Sequence, residues 1–283
     1  MKNPAAEPQT DPVSLRRQAL AALAEPDPSL KAQAARRLAA AASDSESADR
    51  VRTIGADECI ETPADLPGRP DRPRLVDPRQ VPMRSPFTAA GRAALLHAIA
   101  HIEFNAVNLA LDAVWRFAAL PPEYYRDWLQ VAGEEALHFT LLRDHLRELG
   151  RDYGDFDAHD GLWLMAERTS GDVLARMALV PRVLEARGLD ATPPLQAKFE
   201  HSGDARAAAI LAVILRDEIG HVAIGNHWFG WLCRRGGHDP EATFALLAER
   251  HGAPRPRGPF NRAARLAAGF TESELARLER AAG

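Results

Sequence analysis

The chain has 283 residues, of which 46% are hydrophobic and 26% are charged, ordinary values for a globular protein. Its 35 basic and 39 acidic residues give a formal net charge of −4, which lacks the basic excess of a general nucleic-acid binder. Cys59 and Cys233 are the only cysteines in the sequence, too few for a disulfide framework or a cysteine-rich metal site.

The start of the chain shows no export signal. Met1-Lys2-Asn3-Pro4 leads into proline and acidic residues instead of a hydrophobic segment. The longest purely apolar run, residues 207–215, is far shorter than the roughly 20 residues that span a bilayer. We therefore expect a cytoplasmic protein without a membrane partner.

Residues 1–86 differ in pattern from the rest of the chain. Two short helices with Leu and Ala on one face and Arg on the other are predicted over 14–24 and 28–42. Residues 63–86 are rich in proline, which disfavours helix and suits an extended strap. The strap is either a linker or a segment that packs on the main domain.

Four long helices follow, predicted over 88–119, 122–149, 161–187 and 204–235, with Asp204 as the N-cap of the last. The Pro-Pro turn at 121–122 makes the first two antiparallel neighbours. The polar stretch 151–160 extends up to about 33 Å, long enough to cross the length of a bundle. One long crossover in a four-helix bundle is the arrangement of ferritin-like folds.

Shorter helical pieces are predicted over 193–201, 240–251 and 271–281, and no run alternates with the period of a strand. The predicted fold class is therefore all-α, with a ferritin-like four-helix bundle over 87–237. Residues 1–86 supply the N-terminal helices and the strap, and residues 238–283 supply short helices that pack on the bundle.

The pattern acid-Glu-x-x-His occurs once in the second and once in the fourth predicted helix. The two copies are Glu134-Glu135-x-x-His138 and Asp217-Glu218-x-x-His221. Residues three apart lie on one face of a helix, so each Glu–His pair can converge on one metal ion.

The first and third helices supply two more glutamates. Glu103 lies 32 residues before Glu135, and Glu185 lies 33 residues before Glu218. At 1.5 Å per residue, Glu103 and Glu135 both lie roughly 21–27 Å from their shared turn, so they can face each other. Glu185 fits less well, because Gly188, which is expected to close the third helix, follows it closely. Either the helix continues or bends past Gly188, or the piece that begins at Pro193 sets the level of this ligand.

The functional interpretation of this pattern is a dinuclear metal site of four carboxylates and two histidines, the ligand set of di-iron and di-manganese carboxylate proteins. Carboxylate and imidazole ligands favour iron or manganese over metals that prefer thiolate ligands, and two iron ions are our first choice. The alternative is a set of surface carboxylates with incidental histidines. The proposed ligands are Glu103, Glu135, His138, Glu185, Glu218 and His221.

The sequence also resembles a bacterial ferritin-like family of unknown function. The shared strings, between residues 68 and 270, are "GRPDRPRLVDP", "HAIAHIEFNAV", "GEEALHF", "MALVPRVLEARGLDATP", "RDEIGHVAIGNHWF" and "PFNRAARLAAGF". The resemblance implies a ferritin-like fold and metal ligation by the same six residues, but no reaction. More distantly, the doubled acid-Glu-x-x-His resembles soluble di-iron monooxygenases and the tRNA-modifying hydroxylases.

The acids that precede the two Glu–His pairs are candidates for a second shell. Metal-bound histidines usually donate their other ring N–H to a carboxylate or carbonyl. Glu134 and Asp217 point about 100° away from the ligand that follows each, toward the neighbouring helix. We therefore predict a crossed arrangement in which Asp217 pairs with His138 and Glu134 pairs with His221. The alternative is that both acids face solvent.

Other aromatic residues and histidines have weaker patterns. His97 and His101 are four apart and could form a zinc pair, but no second ligand pair accompanies them, so a structural role is favoured. Trp128 and Trp228, seven residues from Glu135 and His221, are core residues or electron relays, with core favoured. Tyr153 lies in the crossover, so a tyrosyl radical is not predicted.

The function that these features favour is an O₂-activating oxidoreductase that acts on a small organic substrate and takes electrons from an external donor. An iron-handling ferroxidase and a module with a structural metal are alternatives. A tRNA-modifying hydroxylase stays open as a minority hypothesis, through the arginines of the strap. These are Arg69, Arg72, Arg74, Arg79 and Arg84.

Overall fold

The computed structural model describes residues 13–43, 54–81 and 85–282. Within these ranges the chain is helical and contains no β-strand, which confirms the predicted all-α class. The first twelve residues, from which we expect a cytoplasmic protein, and Arg84 of the strap lie outside the described residues.

Eleven α-helices are found in the described residues. They are α1 (Leu15–Ala24), α2 (Pro28–Ser43), α3 (Ala89–Arg116), α4 (Pro122–Glu148), α5 (Gly161–Arg168), α6 (Val173–Leu179), α7 (Ala186–His201), α8 (Ala205–Gly236), α9 (Pro240–Arg250), α10 (Arg262–Ala267) and α11 (Glu272–Ala282). A 3₁₀ turn spans Pro78–Gln80, and a π-helix spans Val180–Glu185 between α6 and α7.

The helices that carry the Glu-x-x-His pairs begin and end close to the predicted residues. The Pro121-Pro122 turn starts α4, and the side chain of Asp204 accepts a hydrogen bond from the N–H of Ala207 at the start of α8, as predicted. Gly237 ends α8 with a φ of +68°, a conformation that favours glycine. Local capping chemistry therefore sets the ends of these helices.

The prediction of a single third helix over 161–187 is wrong. The chain turns after α5, restarts at α6 with Asp172 as N-cap, and then forms the π-helix. Pro181 has no N–H for the hydrogen bond one turn earlier, which disturbs the α-helical ladder there. Gly188 does not end the helix either, because α7 continues through it and through Pro193 to His201.

The long helices pack side by side in chain order. Helix α3 packs against α4, α4 against α8, and α8 against α6, the π-helix and α7. Helices α1 and α2 cover the outer sides of α3 and α4. The buried guanidinium of Arg16 fixes α1, because it donates to the carbonyls of Val114 and Trp115 at the C-terminal end of α3.

Helix α3 is long and apolar enough to cross a membrane by length and composition, yet 78% of its apolar window is buried inside the protein. That burial is what the core helix of a bundle shows, because a lipid-facing helix would expose its apolar side chains.

The proline-rich strap packs on the helices, which decides between the two alternatives for it. The N–H of Gly68 donates to the carbonyl of Leu23 at 2.9 Å. Further along, Leu75 pairs with Ala158 of the crossover in an isolated β-bridge. Arg69 and Arg74 form ion pairs with Asp160 and Asp157 of the crossover, both at 2.6 Å.

Candidate metal centre

All six predicted ligands are buried in the protein interior, between the helices. Glu135, His138 and His221 are fully buried, and Glu103, Glu185 and Glu218 expose 4%, 8% and 6% of their surface. Four elements contribute them: α3 gives Glu103, α4 gives Glu135 and His138, the end of the π-helix gives Glu185, and α8 gives Glu218 and His221.

Glu135 lies at the centre of the cluster, between the two imidazoles. One of its oxygens is 2.9 Å from Nδ1 of His221, and the other is 3.5 Å from Nδ1 of His138. The two imidazole rings are 5.8 Å apart. Glu135 therefore contacts both histidines of the cluster through its two oxygens.

The remaining carboxylates surround this centre. Glu103 Oε2 lies 3.1 Å from Nδ1 of His138, and Glu218 Oε1 lies 4.0 Å from Nδ1 of His221. One ligand atom from each of Glu103, Glu135, His138 and Glu218 lies within 4.8 Å of the others, which is close enough for one ion to contact all four.

Glu185 and His221 lie outside that compact group of four but beside it. The pKa of Glu185 is raised to about 8, first by burial and then by the charge of Glu135. The structure thus brings the predicted residues into one cluster, with Glu185 at its edge.

Each histidine contacts an acid on its far side. His138 Nε2 lies 3.1 Å from Asp217 Oδ2, and His221 Nε2 lies 2.7 Å from Glu134 Oε2. These are the crossed pairings that the sequence spacing predicts, each of which joins α4 to α8. An acid at Nε2 turns Nδ1 of each ring toward the carboxylates, where a metal would bind.

The electrostatics of the cluster favour positive charge. Burial disfavours an imidazolium, yet Glu103 and Glu135 outweigh it and raise the pKa of His138 to about 11. Burial and the charge of Glu135 raise the pKa of Glu103 to about 7. For Glu135 burial acts in the same direction, but the two histidines outweigh it and lower its pKa below the usual range. With four carboxylates and two histidines, the cluster contains more acidic than basic groups.

Three carboxylate oxygens of the cluster have no hydrogen-bond partner among the described residues. They are Oε2 of Glu135, Oε2 of Glu185 and Oε2 of Glu218, and all three are buried. A buried carboxylate oxygen without a partner costs free energy, and coordination to a cation removes that cost. The donor set and these oxygens therefore fit a metal ion.

Glycine at position 225 lets the π-helix approach α8, a feature that the sequence analysis missed. A Cβ at Gly225 would lie 2.3 Å from Cβ of Pro181. Gly225 follows His221 by one helical turn, and Pro181 precedes Glu185 by four residues. The only sequence signal for this contact is the spacing of Gly225 from His221. The contact brings the π-helix, which carries Glu185, against α8.

Arg182 ties the π-helix to the C-terminal segment. Its guanidinium donates to Glu274 of α11 at 2.5 Å and lies over the ring of Phe229 at 4.4 Å and that of Phe270 at 5.3 Å. Neither charged residue is predicted from the sequence alone. Because Arg182 is three residues before Glu185, the C-terminal helices help to hold this side of the cluster.

His97 and His101 hold the crossover on α3, in agreement with the favoured structural role. The N–H of Gly154 donates to Nε2 of His97 at 2.9 Å, and Nδ1 of His101 lies 2.9 Å from the hydroxyl of Tyr153. Tyr153 is buried against Phe104 and Phe139. The sequence placed Tyr153 in the crossover but did not predict its burial.

The two tryptophans are buried, as expected for core residues. Trp128 and Trp228 expose 1% and 2% of their surface, and Nε1 of Trp228 donates to Asp127 at 2.8 Å. Both rings contact Tyr124.

Comparisons with known proteins identify relatives without a defined activity. The family described as "Protein of unknown function (DUF455)" matches residues 24–276. An uncharacterized protein of Haemophilus influenzae is 54% identical over 213 residues, which are 73% of this chain and 74% of that protein. No solved structure matches the chain.

Proposed function

The chain belongs to the DUF455 family of proteins of unknown function, and we propose that its buried carboxylate–histidine cluster is a dinuclear metal centre in a ferritin-like bundle. We propose further that this centre makes the protein an O₂-activating oxidoreductase. The observation that carries the proposal is the place of Glu135 between two imidazoles, each held by an acid from the opposite helix.

The residues that would hold the metals are the six buried ones. Glu135 would offer both of its oxygens, each histidine would offer Nδ1, and Glu103, Glu185 and Glu218 would offer carboxylate oxygens. These ligand types favour iron or manganese. When bound, two iron ions would supply the electrons and the binding positions for O₂ that oxidation of an organic substrate requires.

The chain's own groups contribute orientation and enclosure. Asp217 and Glu134 hold a proton at Nε2 of each imidazole and so keep Nδ1 available to a metal. The buried position of the cluster excludes bulk water, which strengthens its electrostatic interactions and protects reactive species from side reactions. We propose that a small organic molecule is the substrate and that an external donor returns the electrons, in the cytoplasm.

Enclosure also favours a second candidate, an iron-handling ferroxidase. No ligand in the cluster exposes more than 8% of its surface, so small reactants such as Fe²⁺ and O₂ reach it more easily than a large molecule. A tRNA substrate receives less support, because two of the strap arginines are already paired with the crossover acids Asp157 and Asp160.

The experiment is anaerobic loading with ferrous iron, followed by metal analysis and exposure to O₂. We expect two irons per chain, O₂ uptake and new near-ultraviolet absorption. Glu135→Ala should lose metal while its helical circular dichroism is retained, and Glu123→Ala, an exposed glutamate on the same helix, is the matched control. Full metal content in Glu135→Ala would refute the assignment of the site.

Two further readouts separate the candidate functions. Repeated oxidation of excess Fe²⁺ without an organic substrate would favour the ferroxidase. Substrate-dependent O₂ uptake, found by screening small organic molecules, would favour the oxidoreductase. Iron-loaded protein that stays unchanged in air for hours would contradict both.

A further inference from the structure

A small cavity lies under the strap, on the side of α3 away from the metal cluster. We call it the strap cleft, and its volume is about 50 Å³. On α3, His101 of the cleft points about 160° away from Glu103 of the metal cluster. Its lining residues are Arg69, Pro70, Pro73, Leu75, His101, Phe104, Asn105, Asn108 and Tyr153.

The strap is anchored on both sides of this cleft. Before it, the N–H of Gly68 donates to the carbonyl of Leu23. After it, the N–H of Val76 donates to the carbonyl of Ala158 at 2.8 Å, and the N–H of Ala158 donates to the carbonyl of Arg74 at 3.0 Å. The cleft is therefore covered by an anchored segment, "GRPDRPRLVDP", which contributes no residue to the metal cluster.

One basic side chain lines the cleft, and a second contacts a lining residue. Lys31 is fully buried, and its ammonium donates to Oδ1 of Asn108 at 2.6 Å and to the carbonyl of Gly68 at 2.7 Å. Arg69 lines the cleft and donates through Nη2 to Asp160. Burial first, and then the charge of Arg69, lower the pKa of Lys31 to about 7. The residues described as lining the cleft include no carboxylate.

Part of the cleft lining is apolar. It is formed by Pro70, Pro73, Leu75 and the ring of Phe104, which the ammonium of Lys31 approaches to 5.1 Å. The mouth is open to solvent, because Leu75 exposes 38% of its surface and the side chain of Arg69 exposes 31%. A cavity of this volume exceeds the space of one water molecule. Its lining thus combines a basic side chain with apolar ones.

We propose that the strap cleft binds a small organic carboxylate. The carboxylate group lies at Arg69 and Asn108, and the hydrocarbon part lies against Phe104 and the two prolines. A guanidinium presents several N–H donors in a planar fork that matches a carboxylate, and Arg69 uses only one nitrogen on Asp160. Below its pKa, the ammonium of Lys31, which donates to Asn108, adds attraction for an anion. This site is independent of the proposed metal chemistry.

The test is titration of the full-length protein with sodium butyrate by calorimetry, at an ionic strength held constant with sodium chloride. We expect saturable binding of one butyrate per chain and none of 1-butanol, which lacks the charge. Arg69→Gln should weaken butyrate binding by about 10- to 100-fold, since a charge-assisted hydrogen bond is lost. Arg74→Gln, an exposed arginine of the same strap, should leave it unchanged.

Two controls distinguish a loss of butyrate binding from a loss of folding. Circular dichroism of Arg69→Gln checks that loss of the Asp160 pair does not unfold the protein. A second variant, Leu75→Glu, places a negative charge on the cleft wall at a partly exposed position and should abolish butyrate binding.

Carboxylates also bind metal ions, so the titration is repeated with metal-free Glu135→Ala. Binding that persists in Glu135→Ala and weakens in Arg69→Gln supports the strap cleft. Binding that is lost in Glu135→Ala, or is unaffected by Arg69→Gln, would overturn the proposal, as would the absence of saturable binding. Tighter binding of inorganic phosphate than of butyrate would overturn the choice of an organic ligand.

Discussion

Replacing Gly225 by alanine should separate the π-helix from α8 and disturb the metal cluster. The added Cβ would lie 2.3 Å from Cβ and 2.4 Å from Cγ of Pro181. Ordinary van der Waals contact begins at 3.4 Å, so the two elements must move apart by about 1 Å. A site must hold its ligands within about 0.5 Å of their productive positions, so this movement is large enough to impair metal binding through Glu185.

The expected cost can be compared with a matched control on the same helix. Overpacking costs about 1–3 kcal/mol, and alanine recovers up to about 1 kcal/mol of helix propensity. Gly225→Ala should therefore lower the free energy of unfolding by up to about 2 kcal/mol. Gly220 is exposed and has open space around it, so Gly220→Ala should raise the free energy by up to about 1 kcal/mol.

The assay is urea denaturation of both variants, together with their ferrous-iron affinity. Gly225→Ala should bind iron more weakly than the wild type, and Gly220→Ala should not. Pro181→Gly removes the two atoms that clash, so Gly225→Ala should cost little in that background, which a double-mutant cycle measures. Equal stability and equal iron affinity of the two alanine variants would refute the reasoning.

Three further predictions concern other parts of the chain. Asp217→Asn should weaken metal affinity by about 10- to 100-fold, because His138 loses its charged partner, whereas the exposed Asp144→Asn should not. Arg16→Ala should lower the free energy of unfolding by about 3 kcal/mol or more in urea denaturation, because buried carbonyls lose their donor. The pKa of Lys31 is about 7 when folded and near 10.5 when unfolded, so the unfolded state binds more protons between these values and stability should rise with pH there. Lys31→Met should remove part of that rise, and identical slopes for the two proteins from pH 7 to 9 would contradict the burial of Lys31.

The sequence by itself determined the helices that carry the Glu-x-x-His pairs. Residues three apart share a helix face wherever the helix sits, and the Pro121-Pro122 turn and the Asp204 cap act over a few residues. The crossed partners of His138 and His221 also follow from the 100° step between consecutive residues, once α4 and α8 are neighbours.

Only the tertiary structure decided the third helical region and the strap. Pro181 and Gly188 are helix breakers by local propensity, yet packing against α8 holds a π-helix and then α7 through both positions. The strap has no periodic pattern, so its place depends on pairing with residues far along the chain, such as Ala158. Such contacts join segments that are far apart in the chain, so they leave no periodic pattern in the sequence. They decide where Glu185 lies and how the strap covers the cleft.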